Sequence, residues 1–132
     1  MDVQALGWKD RAEVLIPELL AGEEAFPTPR DMLWELLVAV RKAFADGEVD
    51  FVRRGFDYAS ICLHSAEPEE FNPAAIGFFC KLAGDEKGLP LEAFASFLAP
   101  ADFEQLSGLF EFHLGTETTA RLRWLMTGAG RQ

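Results

Sequence analysis

Apolar residues recur at three- and four-residue spacing along most of the chain, and alternating apolar–polar runs are scarce, which is the periodicity of helices rather than strands. The first segment, about Lys9 to Ala21, places Ala12, Leu15, Ile16, Leu19 and Leu20 on one side. Pro17 lies inside it and predicts a kink or two short helices, because proline lacks the donor and clashes with the preceding turn. The second helix starts with Thr28 as a cap and Pro29 at the first position. It carries the stripe Leu33, Leu36, Leu37, Val40 and Phe44, and Gly47 stops it. After the short joint "ADGE", a third helix from about Val49 to Ser65 returns with Val52, Phe56, Ala59 and Leu63 inward.

Pro68 predicts a break, and Asn72–Pro73 the start of a fourth helix through "NPAAIGFFCKLAGD". A fifth follows Pro90 through "LEAFASFL". The sixth runs from about Ala101 to Leu114 with Phe103, Leu106 and Phe110 aligned, and the seventh from about Glu117 to Met126. The expectation is a single all-α domain over residues 1–132: about seven short helices in antiparallel hairpins, as a compact bundle or a short solenoid-like stack. Residues 1–7 and 128–132 are expected to fray.

Composition supports a self-sufficient core. Of 132 residues 49% are hydrophobic, including twelve Phe and three Trp, so neither disulfide nor metal is needed to hold the chain together. Twenty-two acids against twelve bases give a net charge of −10. That sign repels nucleic-acid phosphates and anionic lipid surfaces and attracts a basic protein. No apolar run reaches the length of a membrane span, and the first residues do not read as a signal peptide. The expectation is a cytoplasmic protein with two reduced thiols.

Candidate chemistry concentrates in "ICLHSAEPEEFNP", residues 61–73. Cys62 and His64, two apart on a helix, diverge too far around the axis to share an ion, and Cys80 sits in apolar text, so no metal or cofactor is expected. Asp57, Ser60 and His64 share one helix face. Asp57 is nevertheless two turns from His64, and no nucleophile elbow appears, so the chain is not expected to be an enzyme. What remains is acid and aromatic. Helix-to-helix joints gather acids into two rims, with Glu23 and Glu24 near an exposed tip of Glu67, Glu69 and Glu70. Trp34 lies off its helix's main stripe together with Val38 and Arg41. Such a position serves either packing on a neighbouring helix or an interface anchor.

"RRGFDYASICLHS" followed by "NPAAIGFFCKLAG", and later "FEQLSGLFEFHLG", resembles small all-helical bacterial immunity-type proteins encoded beside polymorphic toxins. The resemblance covers residues about 30–115 in core-helix text. It implies a non-enzymatic inhibitor that docks on a basic toxin domain and occludes its active site. Glu67, Glu69, Glu70, Glu23, Glu24 and Trp34 are the expected contact residues. The alternative is a homo-oligomeric scaffold module.

Overall fold

The structure, a computed structural model, describes residues 3–21, 26–84 and 88–127. Among these residues the fold is all-α, without strands. Its α-helices are α1 (Trp8–Leu15), α2 (Pro29–Ala45), α3 (Val49–Leu63), α4 (Pro68–Asn72), α5 (Lys81–Gly84), α6 (Leu91–Phe97), α7 (Pro100–Leu114) and α8 (Thr116–Thr127). Pro17 ends α1 as expected. Ile16 turns to φ −135°, and Pro17–Leu20 continues as a 3-10 turn. Residues 3–6, expected to fray, hold a further 3-10 turn at Val3–Ala5, and the Leu6 carbonyl accepts a hydrogen bond from Arg11 at 2.8 Å. Residues 128–132 lie outside the described range.

The α2–α3 hairpin is closed by local chemistry that the sequence announces. Thr28 Oγ1 accepts from the Asp31 amide and donates to the Asp31 carboxylate at 2.8 Å, fixing the start of α2. At the other end Gly47 takes φ +76°. The Glu48 amide then reaches the Ala43 carbonyl at 2.8 Å and the Gly47 amide reaches Phe44 at 3.2 Å, which satisfies the last carbonyls of the helix. Where the two helices cross, Gly55 faces α2 so closely that an added Cβ would lie 2.7 Å from Val40 Cγ2. An alanine there would require the Val40 side chain, or the helix that carries it, to shift.

The fourth helix departs from expectation. It begins at Pro68, with Glu67 as its N-cap, and runs unbroken through Pro73 to Gly84. The break expected at Pro68 is present, since α3 ends at Leu63 and Pro68 opens the next helix as its first-turn proline, whereas the start expected at Asn72–Pro73 is absent and Pro73 sits inside a helix. An interior proline cannot donate to the carbonyl four residues back and its ring crowds that carbonyl. The chain responds by widening, and Pro73–Cys80 is π-helical between α4 and α5.

This π segment is the centre of the molecule. It buries Ala74, Ala75, Phe78, Phe79 and Cys80, and α2, α3 and α7 all pack on it. A stack of repeats would touch only its neighbours in sequence, so the arrangement is a compact bundle around a central helix. Phe56 of α3 anchors the aromatic core, with ring centroids 5.8 Å from Phe78, 5.9 Å from Phe79, 5.7 Å from Phe94 and 5.4 Å from Phe97.

An ion pair is embedded in this core. Arg11 of α1 is 4% exposed, and its guanidinium is paired with Glu70 of α4. The same guanidinium donates to Cys62 Sγ at 3.6 Å and lies over the Tyr58 ring, 6.0 Å from its centroid. Burial opposes the Arg11 charge, yet the hydrogen bonds to Glu70 and Cys62 hold its pKa above the ordinary value. Tyr58 in turn donates to the Trp8 carbonyl at 3.0 Å, so α1 is fastened to α3 and α4 by polar contacts within apolar surroundings. Glu70→Ala would strand the guanidinium and cost about 3–5 kcal/mol of stability. Arg11→Met combined with Glu70→Leu removes both charges and recovers most of that loss, as measured by urea unfolding of the three variants.

Candidate functional site

Of the expected contact residues, Glu67, Glu69 and Trp34 are exposed and Glu70 is buried. Glu67 and Glu69 are exposed at the start of α4. Glu70, placed beside them on the exposed tip by its position in sequence, is only 8% exposed and turns inward to Arg11. The reason is helical. Residues 67–70 complete one turn, so one of its acids faces the core, where Arg11 needs a counter-charge. Glu23 and Glu24 lie outside the described residues.

Trp34 is 52% exposed, and Val38 one turn later is 46% exposed, so the outer face of α2 keeps apolar surface in solvent. Trp34 and Leu33 form one side of a cleft of about 470 Å³ whose other side is Pro73, Ile76 and Gly77 of the π segment. Ile76 is 43% exposed in this cleft. Arg30, Asp31, Asn72 and Lys81 supply the polar lining. The Asp31 carboxylate is engaged by Thr28. Glu69, in the first turn of α4, is exposed but is not among the residues that line the cleft.

The second cluster is His64, Ser60 and Asp102. Its aspartate comes from α7 and not from Asp57, and no spacing along the chain reveals that partner. Asp102, in the first turn of α7, is 3% exposed. Ser60 Oγ donates to its Oδ1 at 3.0 Å, and His64 Nε2 lies 2.6 Å from the same oxygen. Serine and histidine thus meet on the carboxylate, whereas nucleophile activation calls for the serine hydroxyl on the imidazole with the acid behind it. Gln105 of α7 adds a hydrogen bond to the Leu63 carbonyl at 3.0 Å, so the whole cluster braces the last turn of α3 against the first turn of α7. Asp57, nearby, has its pKa raised by burial first and by Asp102 as well, with Arg53 opposing.

The thiols are enclosed. Burial pushes Cys80 up to about 11 and raises Cys62 as well, in the latter case against hydrogen bonding from Arg11. Cys62 faces the Arg11–Tyr58 cluster while His64 faces α7, and among the described residues no group of three Cys, His, Asp or Glu is arranged to hold a metal ion. No described helix is long and apolar enough to cross a membrane.

No family model, curated protein or solved structure matches the chain.

Asp102→Ala would remove the acceptor shared by Ser60 and His64 and lower stability by about 1–3 kcal/mol. Asp102→Asn keeps an acceptor oxygen at that point and costs less. Urea midpoints of the two variants against the parent measure the difference.

Proposed function

We propose that this protein is a non-enzymatic protein-binding inhibitor of the immunity type, which docks on a basic toxin domain and covers its active site. The observation that carries the reading is Trp34, half-exposed on α2 in one cleft with the exposed Ile76. An amphipathic aromatic held on a rigid helix is the usual nucleus of a binding hot spot, because it contributes large contact area at little entropic cost. Glu67 and Glu69 add exposed charge at the start of the central helix. The net charge of −10 gives the whole molecule a field that accelerates encounter with a cation-rich partner. Glu70 belongs to the scaffold in this reading, since its carboxylate is committed to Arg11.

A second reading has its own support. Phe112 of α7 is 82% exposed and Trp124 of α8 is 51% exposed, so a homo-oligomeric scaffold built on these faces is the alternative. Light scattering separates the two, because a stable monomer at high concentration removes the scaffold.

The direct test is interferometry against the C-terminal domain of the protein encoded immediately beside this one. The expected result is saturable binding whose association slows about tenfold at low salt in the double variant Glu67→Lys with Glu69→Lys. Trp34→Ala should instead speed dissociation, by about tenfold or more. Absence of binding by the parent chain, or unchanged rates in both variants, overturns the reading.

A further inference from the structure

The cleft between α2 and the π segment has the opposite charge to the molecule that contains it. In a chain of net charge −10, Arg30 and Lys81 both line this cleft, and neither makes an ion pair among the described residues. The other described arginines whose ion pairs are seen, Arg11, Arg54, Arg121 and Arg123, are spent on carboxylates. Asp31 also lines the cleft, where the Thr28 cap holds its carboxylate by a hydrogen bond and it makes no ion pair with Arg30, so the lining carries two cations against one carboxylate. Between the cations lie the apolar side chains of Trp34 and Ile76, both substantially exposed. Water-exposed apolar walls in a cleft of net positive charge match a ligand that brings one apolar body and one negative charge.

The size of the cleft narrows the class. At about 470 Å³ it falls within the range of small-molecule sites, about 300–1,000 Å³. On the α2 side the lining extends only from Arg30 to Trp34, about one helical turn, which is too short to seat an extended peptide. Gly77 keeps the opposite wall low, and a Cβ placed there would meet nothing within 4 Å. The space in front of Gly77 is open, and a larger side chain at this position would fill the cleft without disturbing the core.

We propose that this cleft is a binding site for a small amphipathic carboxylate, with an aromatic or medium-chain aliphatic body lying on Trp34 and Ile76 and the carboxylate held by Arg30 and Lys81. A charge-assisted hydrogen bond from a guanidinium or ammonium to a carboxylate supplies orientation, and the apolar walls supply most of the affinity. The site shares Trp34 with the proposed docking surface but requires no protein partner, so binding of a small probe by the chain alone is read separately from binding of a toxin domain.

Isothermal titration calorimetry on the full chain tests it, with indole-3-acetate and octanoate as probes and indole-3-ethanol and acetate as controls. The expected result is saturable one-to-one binding of at least one amphipathic probe with Kd of about 1 mM or tighter. Indole-3-ethanol, which lacks the charge, and acetate, which lacks the apolar body, should each bind at least about tenfold more weakly. Arg30→Glu and Lys81→Glu should each weaken the probe about fivefold or more. Gly77→Leu, with an unchanged circular dichroism spectrum and unfolding midpoint, should abolish binding by occupying the space. The proposal is overturned by no saturable binding up to about 10 mM, by acetate binding as tightly as the amphipathic probes, which marks an adventitious anion, or by a folded Gly77→Leu variant that binds like the parent.

Discussion

A guanidinium cannot be left alone in a protein interior, and that constraint organises the first two-thirds of this fold. Taking Arg11 out of water costs several kcal/mol, so a carboxylate must be brought to it with good geometry. Glu70 meets the need only if α4 begins where it does, because a shift of one residue along the helix swings that side chain about 100° around the axis. The pair therefore sets the phase of the central helix. It also sets where α1 rests, since Arg11 reaches Glu70 across Cys62 and Tyr58 of α3. Arg54 repeats the logic nearer the surface. It donates to the Leu15 carbonyl and to both oxygens of Glu18, while also holding Asp50, and so ties the end of α1 to α3. The Glu18 carboxyl is drawn down to about 2 by that hydrogen bonding.

With its phase fixed, the central helix must pass through Pro73. A proline there forfeits one hydrogen bond and would break or kink an ordinary α-helix. Continuing as a π segment lets the chain carry Phe78 and Phe79 into the aromatic core around Phe56 and still keep Ile76 and Gly77 on the outside. Core and cleft are consequently two faces of one irregular stretch. That is a common place for a binding surface, because irregular helix is retained where regular helix would not present the same side chains.

Much of the scaffold is legible from residue spacing. The Thr28 cap, the Gly47 stop, the break at Pro17 and the stripes of α2, α3 and α7 all follow from local chemistry and appear where the pattern puts them. The failures share one cause, which is that the deciding partner is far away in sequence. Nothing around Glu70 distinguishes it from Glu67 and Glu69 until Arg11, 59 residues earlier, is seen to need it. Asp102 looks like one more acid in a helix's first turn until Ser60 and His64 close on it from α3. Asn72–Pro73 has the composition of a helix start, and local propensity prefers that reading. Burial of the segment on both sides of it overrides the preference. The cleft was hidden for the same reason, since Trp34 was visible as an oddity on its own helix whereas Ile76 and Lys81 become its neighbours only through packing.

The charge distribution links these observations. The acids that serve the fold are neutralised in place: Glu70 by Arg11, Glu18 and Asp50 by Arg54, Glu92 by Arg121. Glu67 and Glu69 make no such pair among the described residues, and on the opposite account neither do Arg30 and Lys81. The two cations line the cleft, and the two acids stand at the start of the helix whose later turns form its wall. Salt screens such exposed charges beyond roughly 8–10 Å, so they act on what approaches closely and add little to stability. A surface that holds its apolar residues half in water and its charges uncompensated has forgone local stabilisation there, and contact with another molecule is the physical circumstance in which both are satisfied.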